Sequence, residues 1–323
     1  MRSFAGTHPS PVEPFPMQNT PDTEITLTHG DWHLSAAPYG ASLRGLSHAG
    51  KPVVTTYTGA NGKVGGQGDV LIPFPGRVAG GSYTFAGTPY QMDKNDNEGP
   101  NAIHGFLRQT FWDIAAQSAE SVTFTAALAA DTHPGYPFAL SVSLTYTLTD
   151  HGLETSFEIE NTGDRPAPVA AGFHPYFTVG SALIDIDTLQ VPFASYLEFD
   201  DALIPTGRVL PVDGTRFDFR QPRLLGDTVL NICYLHPIRD ADGLLRIRLS
   251  DSTAQTAVVV WMNAALDYVV LYSGDPLPDS HRRKSLAIEP MTCGADAFNH
   301  GEWGLTTLVP GETLVGRWGV GRG

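Results

Sequence analysis

Two histidines and one glutamate stand out as side chains that could move protons. His104 lies in a loop rich in glycine and aromatic residues, and His174 is followed by Pro175, which restricts the histidine backbone to extended or turn geometry. Glu289 follows the apolar run Leu286–Ile288, which predicts a position at the end of a buried strand. Loss of water there raises the pKa of a carboxyl group and makes it a better base near neutral pH.

An arginine and two aromatic residues belong to the same candidate site. Arg77 follows a Pro/Gly turn after an apolar run, so its guanidinium could face a concave surface rather than solvent. Phe106 and Tyr176 lie close in sequence to His104 and His174, and their flat aromatic rings could form the wall of a binding cleft. Ordinary explanations stay open for all of them: loop histidines are mostly surface groups, strand-end glutamates form salt bridges, and aromatic rings fill cores.

Short runs of alternating apolar and polar residues dominate the chain and predict half-buried β-strands. Long helical patterns with caps are missing from the sequence, and so are fixed repeats and low-complexity linkers. These features predict an all-β protein, a large antiparallel β-sandwich, with one domain over residues 25–323 after a Pro-rich, loosely ordered arm at residues 1–24. The glycine-rich stretch 319–323 is predicted to be a frayed end. The predicted strands are Val122–Leu128, Leu140–Leu148, Leu153–Ile159, Leu245–Leu249, Ala257–Met262 and Tyr268–Tyr272.

The composition narrows the classes of partner. A formal net charge of −14 offers no basic surface for nucleic acid or an anionic membrane, and a neutral small molecule is the simpler expectation. Cys233 and Cys293 form no CxxC pair, which favours reduced thiols in a cytoplasmic protein. Dinucleotide, P-loop and serine-hydrolase motifs are missing from the sequence, so no cofactor is expected. Edge strands of a sandwich allow either a monomer or a homodimer.

Four segments in a fixed order carry a family resemblance. They are PFPGRVAGGSYTFAG, NAIHG, GFHPYF and AIEPMTCGADAFN, and LVPGET follows them. Together they resemble the aldose 1-epimerase (galactose mutarotase) family, from about residue 25 to residue 320. The resemblance implies a galactose mutarotase-like supersandwich of β-strands with a sugar cleft on one sheet. It implies no cofactor and no metal.

The resemblance also implies an activity and a set of roles. The activity is interconversion of the α and β anomers of a free aldohexose by ring opening and re-closure. Glu289 would be the general base, His174 the general acid, His104 a substrate-orienting group and Arg77 a ligand for sugar hydroxyls. In such a pair, mutual attraction is expected to raise the pKa of His174 and to oppose any rise in that of Glu289.

One position departs from the family pattern. Galactose-type members carry an aspartate that binds sugar hydroxyls, whereas the matching stretch DTVLNICYLH has Asn231, with Asp227 as the fallback. Asparagine can hydrogen-bond hydroxyls but carries no charge. The preferred aldose therefore stays open.

Three other functions compete with this interpretation. A hexose-6-phosphate 1-epimerase on the same fold would need cations around a dianion. A metal enzyme would use His104, His174 and Glu289 as ligands, although these residues lack short HxH spacing. A non-catalytic carbohydrate-binding protein would keep the cleft without the proton-transfer groups. The basic residues that could serve a phosphate are Arg208, Arg216, Arg220, Arg223, Arg282, Arg283 and Lys284.

Overall fold

In the computed structural model, the described residues are Thr20, 23–251, Thr253 and 255–323. Most of the predicted N-terminal arm, residues 1–24, lies outside them. The described chain is built mainly from strands, and its helical elements are five 3-10 turns of three residues each. No helix within it is long and apolar enough to cross a membrane. The 3-10 turns are Ala60–Gly62, Ala79–Gly81, Leu107–Gln109, Ile184–Ile186 and Gly301–Trp303.

The strands follow one another along the chain with short connections. They are β1 Ile25–His29, β2 Trp32–Ala37, β3 Ser42–His48, β4 Lys51–Val54, β5 Val70–Leu71, β6 Arg77–Val78, β7 Ser82–Phe85, β8 Thr88–Gln91, β9 Ala102–Ile103, β10 Asp113–Gln117, β11 Ser121–Leu128, β12 Leu140–Thr149, β13 Gly152–Asn161, β14 Ala167–Val169, β15 Gly172–Phe173, β16 Tyr176–Phe177, β17 Thr188–Gln190, β18 Phe193–Phe199, β19 Pro205–Pro211, β20 Arg223–Leu224, β21 Asn231–Pro237, β22 Leu245–Asp251, β23 Thr256–Met262, β24 Tyr268–Tyr272, β25 Leu286–Met291, β26 Thr306–Leu308 and β27 Thr313–Arg322.

Two large sheets contain most of these strands. The first has twelve strands: the path β1-β2-β3-β4-β16-β25-β24-β21-β18-β19, with β15 and β5 attached beside β25. The second has nine strands in the order β10-β11-β12-β13-β27-β23-β22-β17-β20. Apolar side chains from both sheets join one buried cluster, to which Ile288 of the first sheet and Leu144 of the second belong. The all-β prediction and the large antiparallel sheets are thereby confirmed.

Period-two alternation explains the nine-stranded sheet. On β12 the side chains of Leu140, Val142 and Leu144 are buried while the residues between them are polar and more exposed. A strand with one apolar face must present that face to a core, and this requirement fixes its register. All six predicted strands occur in the structure, as β11, β12, β13, β22, β23 and β24.

The C-terminal stretch corrects one prediction. Residues 319–323 were predicted to fray, but β27 runs to Arg322 and pairs with both β13 and β23. Gly319 serves close packing: a Cβ there would stand 2.3 Å from the carbonyl oxygen of Leu153 and 2.6 Å from the Trp261 ring. Glycine at this place allows neighbouring atoms to approach the backbone, which a frayed end does not need.

Strand β25 is buried on both faces. Leu286 and Ile288 belong to the cluster between the two sheets, and Met291 belongs to a second cluster on the other side. Because side chains alternate along a strand, Glu289 lies on the same face as Met291. The strand continues through Pro290, so the expectation that Glu289 ends it is wrong. The carboxylate sits inside a central strand instead.

A buried aspartate away from Glu289 makes stability depend on pH. Asp187 is fully buried; its Oδ2 accepts a hydrogen bond from Ser181 at 2.9 Å, and its Oδ1 has no hydrogen-bond partner among the described residues. Burial, helped by Asp251 and Asp185, raises the pKa of Asp187 from 3.8 to about 6. Because the pKa of Asp187 is higher in the folded state, its contribution to stability is fully present below pH 3.8. That contribution is lost as the pH rises through about 6.

We therefore expect Asp187→Asn to stabilise the protein above pH 6. The gain at pH 7.5 should be on the order of 2 kcal/mol, because the neutral amide avoids the cost of a buried charge. At pH 4 the gain should nearly vanish, since aspartate is then largely protonated in the folded state. Urea unfolding at both pH values measures this, with the exposed Asp279→Asn as control. An equal gain at both pH values would contradict the explanation.

Candidate active site

One cavity of about 250 Å³ brings together the predicted proton-transfer and binding residues. It lies beside the central strands of the twelve-stranded sheet, on the face of β25 that carries Glu289. Many separate stretches of sequence contribute to it: the twelve-stranded sheet carries Asn231 and Glu289, and the small sheet of β6 and β9 carries Arg77. The five predicted residues that line it are Arg77, His104, His174, Asn231 and Glu289.

Glu289 is held in the middle of the sheet. It lies opposite Val270 on β24, which in turn lies opposite Cys233 on β21, so three neighbouring strands fix its position. The side chain is 3% exposed, and burial raises its pKa well above the ordinary value, with the positive charge of Arg77 opposing the rise. A buried, rigidly placed carboxyl group with a raised pKa is suited to accept a proton.

His174 is fixed through its backbone and its ring. Its N–H donates to the carbonyl oxygen of Asp69 at 3.0 Å, and its own carbonyl accepts from Gly68 N–H at 2.9 Å. Its ring stacks on Tyr176, with the ring centroids 5.1 Å apart. The Nε2 atom lies 3.4 Å from Oε1 of Glu289. The two groups assigned to proton transfer are therefore neighbours in the cavity.

The direction of the histidine pKa shift differs from the expectation. Attraction to Glu289 was expected to raise the pKa of His174, but burial, reinforced by nearby Arg108 and Lys63, lowers it to about 3. The pKa of Glu289 rises for the same reason, loss of water. The expectation was wrong because it weighed only the charge of one partner. Between these two pKa values the pair holds a single proton.

His104 has the surroundings of a neutral hydrogen-bond donor. Its Nδ1 accepts from Gly76 N–H at 3.2 Å, so the ring proton lies on Nε2. Burial lowers its pKa well below the ordinary value, and the charges of His174, Arg108 and Arg77 lower it further. A histidine that stays neutral can donate from Nε2 to a sugar oxygen without becoming a second acid.

Arg77 is positioned by two carboxylates that the sequence analysis missed. Its Nε donates to Asp96 Oδ2 at 2.7 Å and its Nη2 donates to Glu98 Oε2 at 2.5 Å. Asp96 and Glu98 also line the cavity. Their signal in the sequence is the acidic stretch DKNDNEGP just before NAIHG.

Asn231 begins β21 and lies opposite Tyr272 on β24. It lines the cavity, whereas the fallback Asp227 does not. A neutral amide therefore lines the same cavity as Glu289. The cavity can offer both a donor and an acceptor to a sugar hydroxyl at this position.

The two predicted wall aromatics lie elsewhere. The ring of Phe106 stacks on His133 at a centroid distance of 3.9 Å and packs against the core. Tyr176 is 2% exposed and stands behind His174, with its hydroxyl donating to the carbonyl of Gly65 at 2.8 Å. The aromatic residues that line the cavity are Phe199 and Tyr272.

Metal binding finds no support in the geometry. In the part of the chain that the structure describes, no group of three or more histidine, cysteine, aspartate or glutamate side chains could hold a metal ion. The site instead presents a carboxyl group beside an imidazole, a neutral histidine, an arginine and an amide. This set can bind a polyhydroxylated ring and move two protons on it.

Known proteins share this fold and much of this sequence. The sequence model of the aldose 1-epimerase family matches residues 23–318. The uncharacterized protein YihR of Escherichia coli is 32% identical, over 86% of both chains. Human galactose mutarotase is 34% identical, over 76% of this chain and 75% of the human protein.

A solved structure agrees with the sequence relatives. The aldose epimerase homologue from C. elegans superimposes with a TM-score of 0.84 at 21% identity and covers 93% of this chain and 98% of its own. At that identity the likeness shows the fold, while the family match spans nearly the whole described chain. The protein belongs to the aldose 1-epimerase family of isomerases.

Proposed function

We propose that this protein interconverts the α and β anomers of an aldohexose whose C1 hydroxyl is free, with Glu289 and His174 as the groups that move protons. The observation that carries the proposal is the 3.4 Å approach of His174 Nε2 to Glu289 Oε1 inside a cavity that also holds Arg77. Proton transfer by positioned side chains typically contributes about 10² to 10⁴ in rate each.

Ring opening needs two proton transfers. Glu289 accepts the proton of the C1 hydroxyl, C1 becomes an aldehyde, the bond from C1 to the ring oxygen breaks, and His174 gives a proton to that oxygen. Rotation about the bond between C1 and C2 exposes the other face of the aldehyde. Re-closure reverses both transfers and yields the other anomer.

Burial keeps the shared proton of the resting pair on Glu289, and this proton must pass to His174, 3.4 Å away, before the ring can open. After this transfer the proton is on His174 and Glu289 is ionised; after ring opening both groups are neutral. Burial lowers the pKa of His174 and raises that of Glu289, so the dry surroundings favour the neutral pair. They therefore favour the protonation state that ring opening produces. Arg77 and the donor at Nε2 of His104 are placed to hold the sugar during this change.

The seven basic residues that could serve a phosphate all lie outside the lining of the cavity around Glu289. Arg220 pairs with Asp213 and Asp218, and Arg283 pairs with Asp185 and Asp275. Neither arginine lines the cavity around Glu289. These residues give no support to a phosphate site at that place.

Optical rotation tests the proposal directly. Freshly dissolved α-D-glucose and α-D-galactose should reach equilibrium much faster with the protein than in buffer alone, with EDTA present. His174→Asn should remove most of the acceleration, because asparagine cannot supply the proton for the ring oxygen. If the wild-type protein leaves the rate at the buffer value for every aldose tried, charged ones included, the protein is a sugar-binding protein without this activity. Loss of activity on chelation would instead support the metal alternative.

We also propose the cytoplasm as the place of action. Cys233 and Cys293 are both free thiols in the structure and both are buried. Unpaired cysteines are usual in a reducing compartment.

A further inference from the structure

A second cavity of about 360 Å³ adjoins the one around Glu289. Gly66 and Arg108 line both cavities and form the wall between them. Three cationic side chains, Arg44, Lys63 and Arg108, line this second cavity, and its one carboxylate is that of Asp69. We call it the cationic chamber. Its excess of positive charge is unusual in a protein whose formal net charge is −14.

The charged groups of the chamber are mostly donors, while its neutral lining residues Tyr39, Tyr57, Asn61 and Gln109 can donate and accept. Lys63 Nζ donates to Oδ1 of Asp69, and Arg108 Nη1 donates to Oδ2 at 3.2 Å, so both carboxylate oxygens are already engaged. The buried Nε of Arg108 has no hydrogen-bond partner within the described residues. Arg44 is 2% exposed, with Nη1 3.8 Å from Oε2 of Glu24 at the protein surface.

Such a set favours an anion over a neutral sugar ring. A hydroxyl both donates and accepts, so a site for a neutral ring supplies acceptors as well as donors. A phosphate, sulfate or carboxylate only needs donors, and hydrogen bonds from arginine or lysine to such a group are shorter and stronger than neutral ones. With three cations and one carboxylate among its lining residues, the chamber resembles the second kind of environment more than the first.

The wall between the cavities is thin at Gly66. A Cβ at this residue would stand 3.3 Å from Cδ2 of His174 and 3.6 Å from Oδ2 of Asp69. Its φ of +77° also belongs to the region that glycine adopts most readily. Because Gly66 has no side chain, only its backbone lies between the His174 ring and the Asp69 carboxylate at this point. Arg108 lines the cavity around Glu289 as well as the chamber, so a substituent on a sugar in that cavity faces this cation at the boundary between the two.

We propose that the cationic chamber binds an anionic substituent of the sugar whose C1 lies between Glu289 and His174. This rests on the proposed function and narrows its substrate class to aldoses that carry a phosphate, sulfate or carboxylate away from C1. The cations that bind it are Lys63, Arg108 and Arg44. None of them belongs to the basic stretches that the sequence analysis considered for phosphate.

Binding without turnover separates this proposal from the activity itself. 1,5-Anhydroglucitol lacks the anomeric hydroxyl and cannot change anomer, so calorimetry can compare it with its 6-phosphate at low ionic strength. The phosphate should bind at least about tenfold more tightly. Arg108→Gln and Lys63→Gln should each reduce that preference about tenfold. Arg208→Gln, whose side chain is 67% exposed and pairs with Glu198, should leave it unchanged. Circular dichroism checks that each variant is folded.

Mutarotation rates then identify the anion. We would compare glucose with glucose 6-phosphate, glucose 6-sulfate, glucuronate and maltose, and expect kcat/KM to be at least about tenfold higher for one of the three anions than for glucose. A preference for any of them supports the chamber and names its group. Equal binding of the two anhydroglucitols, or a preference that survives in both folded variants, would overturn the proposal. So would a preference for maltose over every anion. If the phosphate binds tightly but no sugar is turned over, the chamber stands and the proposed activity fails.

Discussion

Replacing Glu289 with glutamine is expected to lower kcat/KM for mutarotation by about 10² to 10⁴-fold. The amide has nearly the same shape and can occupy the same place opposite Val270 on β24. It cannot accept the proton of the C1 hydroxyl, so ring opening would depend on water. Polarimetry with α-D-glucose, or with the best aldose found, measures the loss.

The matched control for this substitution is Glu302→Gln. Glu302 is 67% exposed, pairs with His300, and does not line the cavity around Glu289. Its variant should keep the wild-type rate. Glu289→Gln should also stay folded, because it removes a carboxyl group whose pKa burial has raised, and with it the cost of charging that group. A folded Glu289→Gln protein with the wild-type rate would eliminate Glu289 as the base.

Gly68→Ala is expected to lower both the free energy of unfolding and the mutarotation rate. Gly68 has φ +71°, and an added Cβ would stand 1.9 Å from the carbonyl oxygen of Leu43. Its N–H also donates to the carbonyl of His174, and its own carbonyl accepts from Leu43 N–H. Strain and overpacking together should cost about 2 to 5 kcal/mol of unfolding free energy.

Activity should fall in the same variant by about 10²-fold, because the clash moves the segment that holds His174, and a shift of about 1 Å is enough for such a loss. Gly50→Ala is the matched control. Gly50 has φ +73° with no atom within 4 Å of the added Cβ, so it has the backbone strain without the clash. It should lose about 1 to 2 kcal/mol and keep full activity. If both variants lost the same stability and the same activity, the clash with the Leu43 carbonyl would not be the cause of the losses in Gly68→Ala.

The sequence predicted the fold where a local pattern decides it. Alternation along Leu140–Leu148 needs only the chain itself, and β12 follows it. The end of the chain was mispredicted because GVGRG looks like a flexible tail. Its glycines instead allow neighbouring atoms, including the Leu153 carbonyl, to approach the backbone of β27, and a contact between distant segments leaves no local pattern.

The sequence predicted the pair at the centre of the candidate site but not the electrostatics of that pair. Motif order identified Glu289 and His174, and the structure brings them together. The pKa of the imidazole depends on how much water the fold removes, which spacing along the chain does not report. The orientation of the Phe106 ring was also not predictable from its position in the sequence. Phe106 follows His104 in the sequence, but its N–H donates to the Ile72 carbonyl and its ring turns to the core instead of the cavity.

The single proton held by His174 and Glu289 has a consequence for the whole catalytic cycle. In the proposed mechanism, ring opening moves one proton onto the carboxylate and another off the imidazole, and re-closure returns both. The enzyme therefore ends each turnover in the protonation state in which it began. It needs no buffer molecule to restore that state. Protons pass only between the sugar, Glu289 and His174, so turnover does not depend on proton donors or acceptors in the surrounding solution.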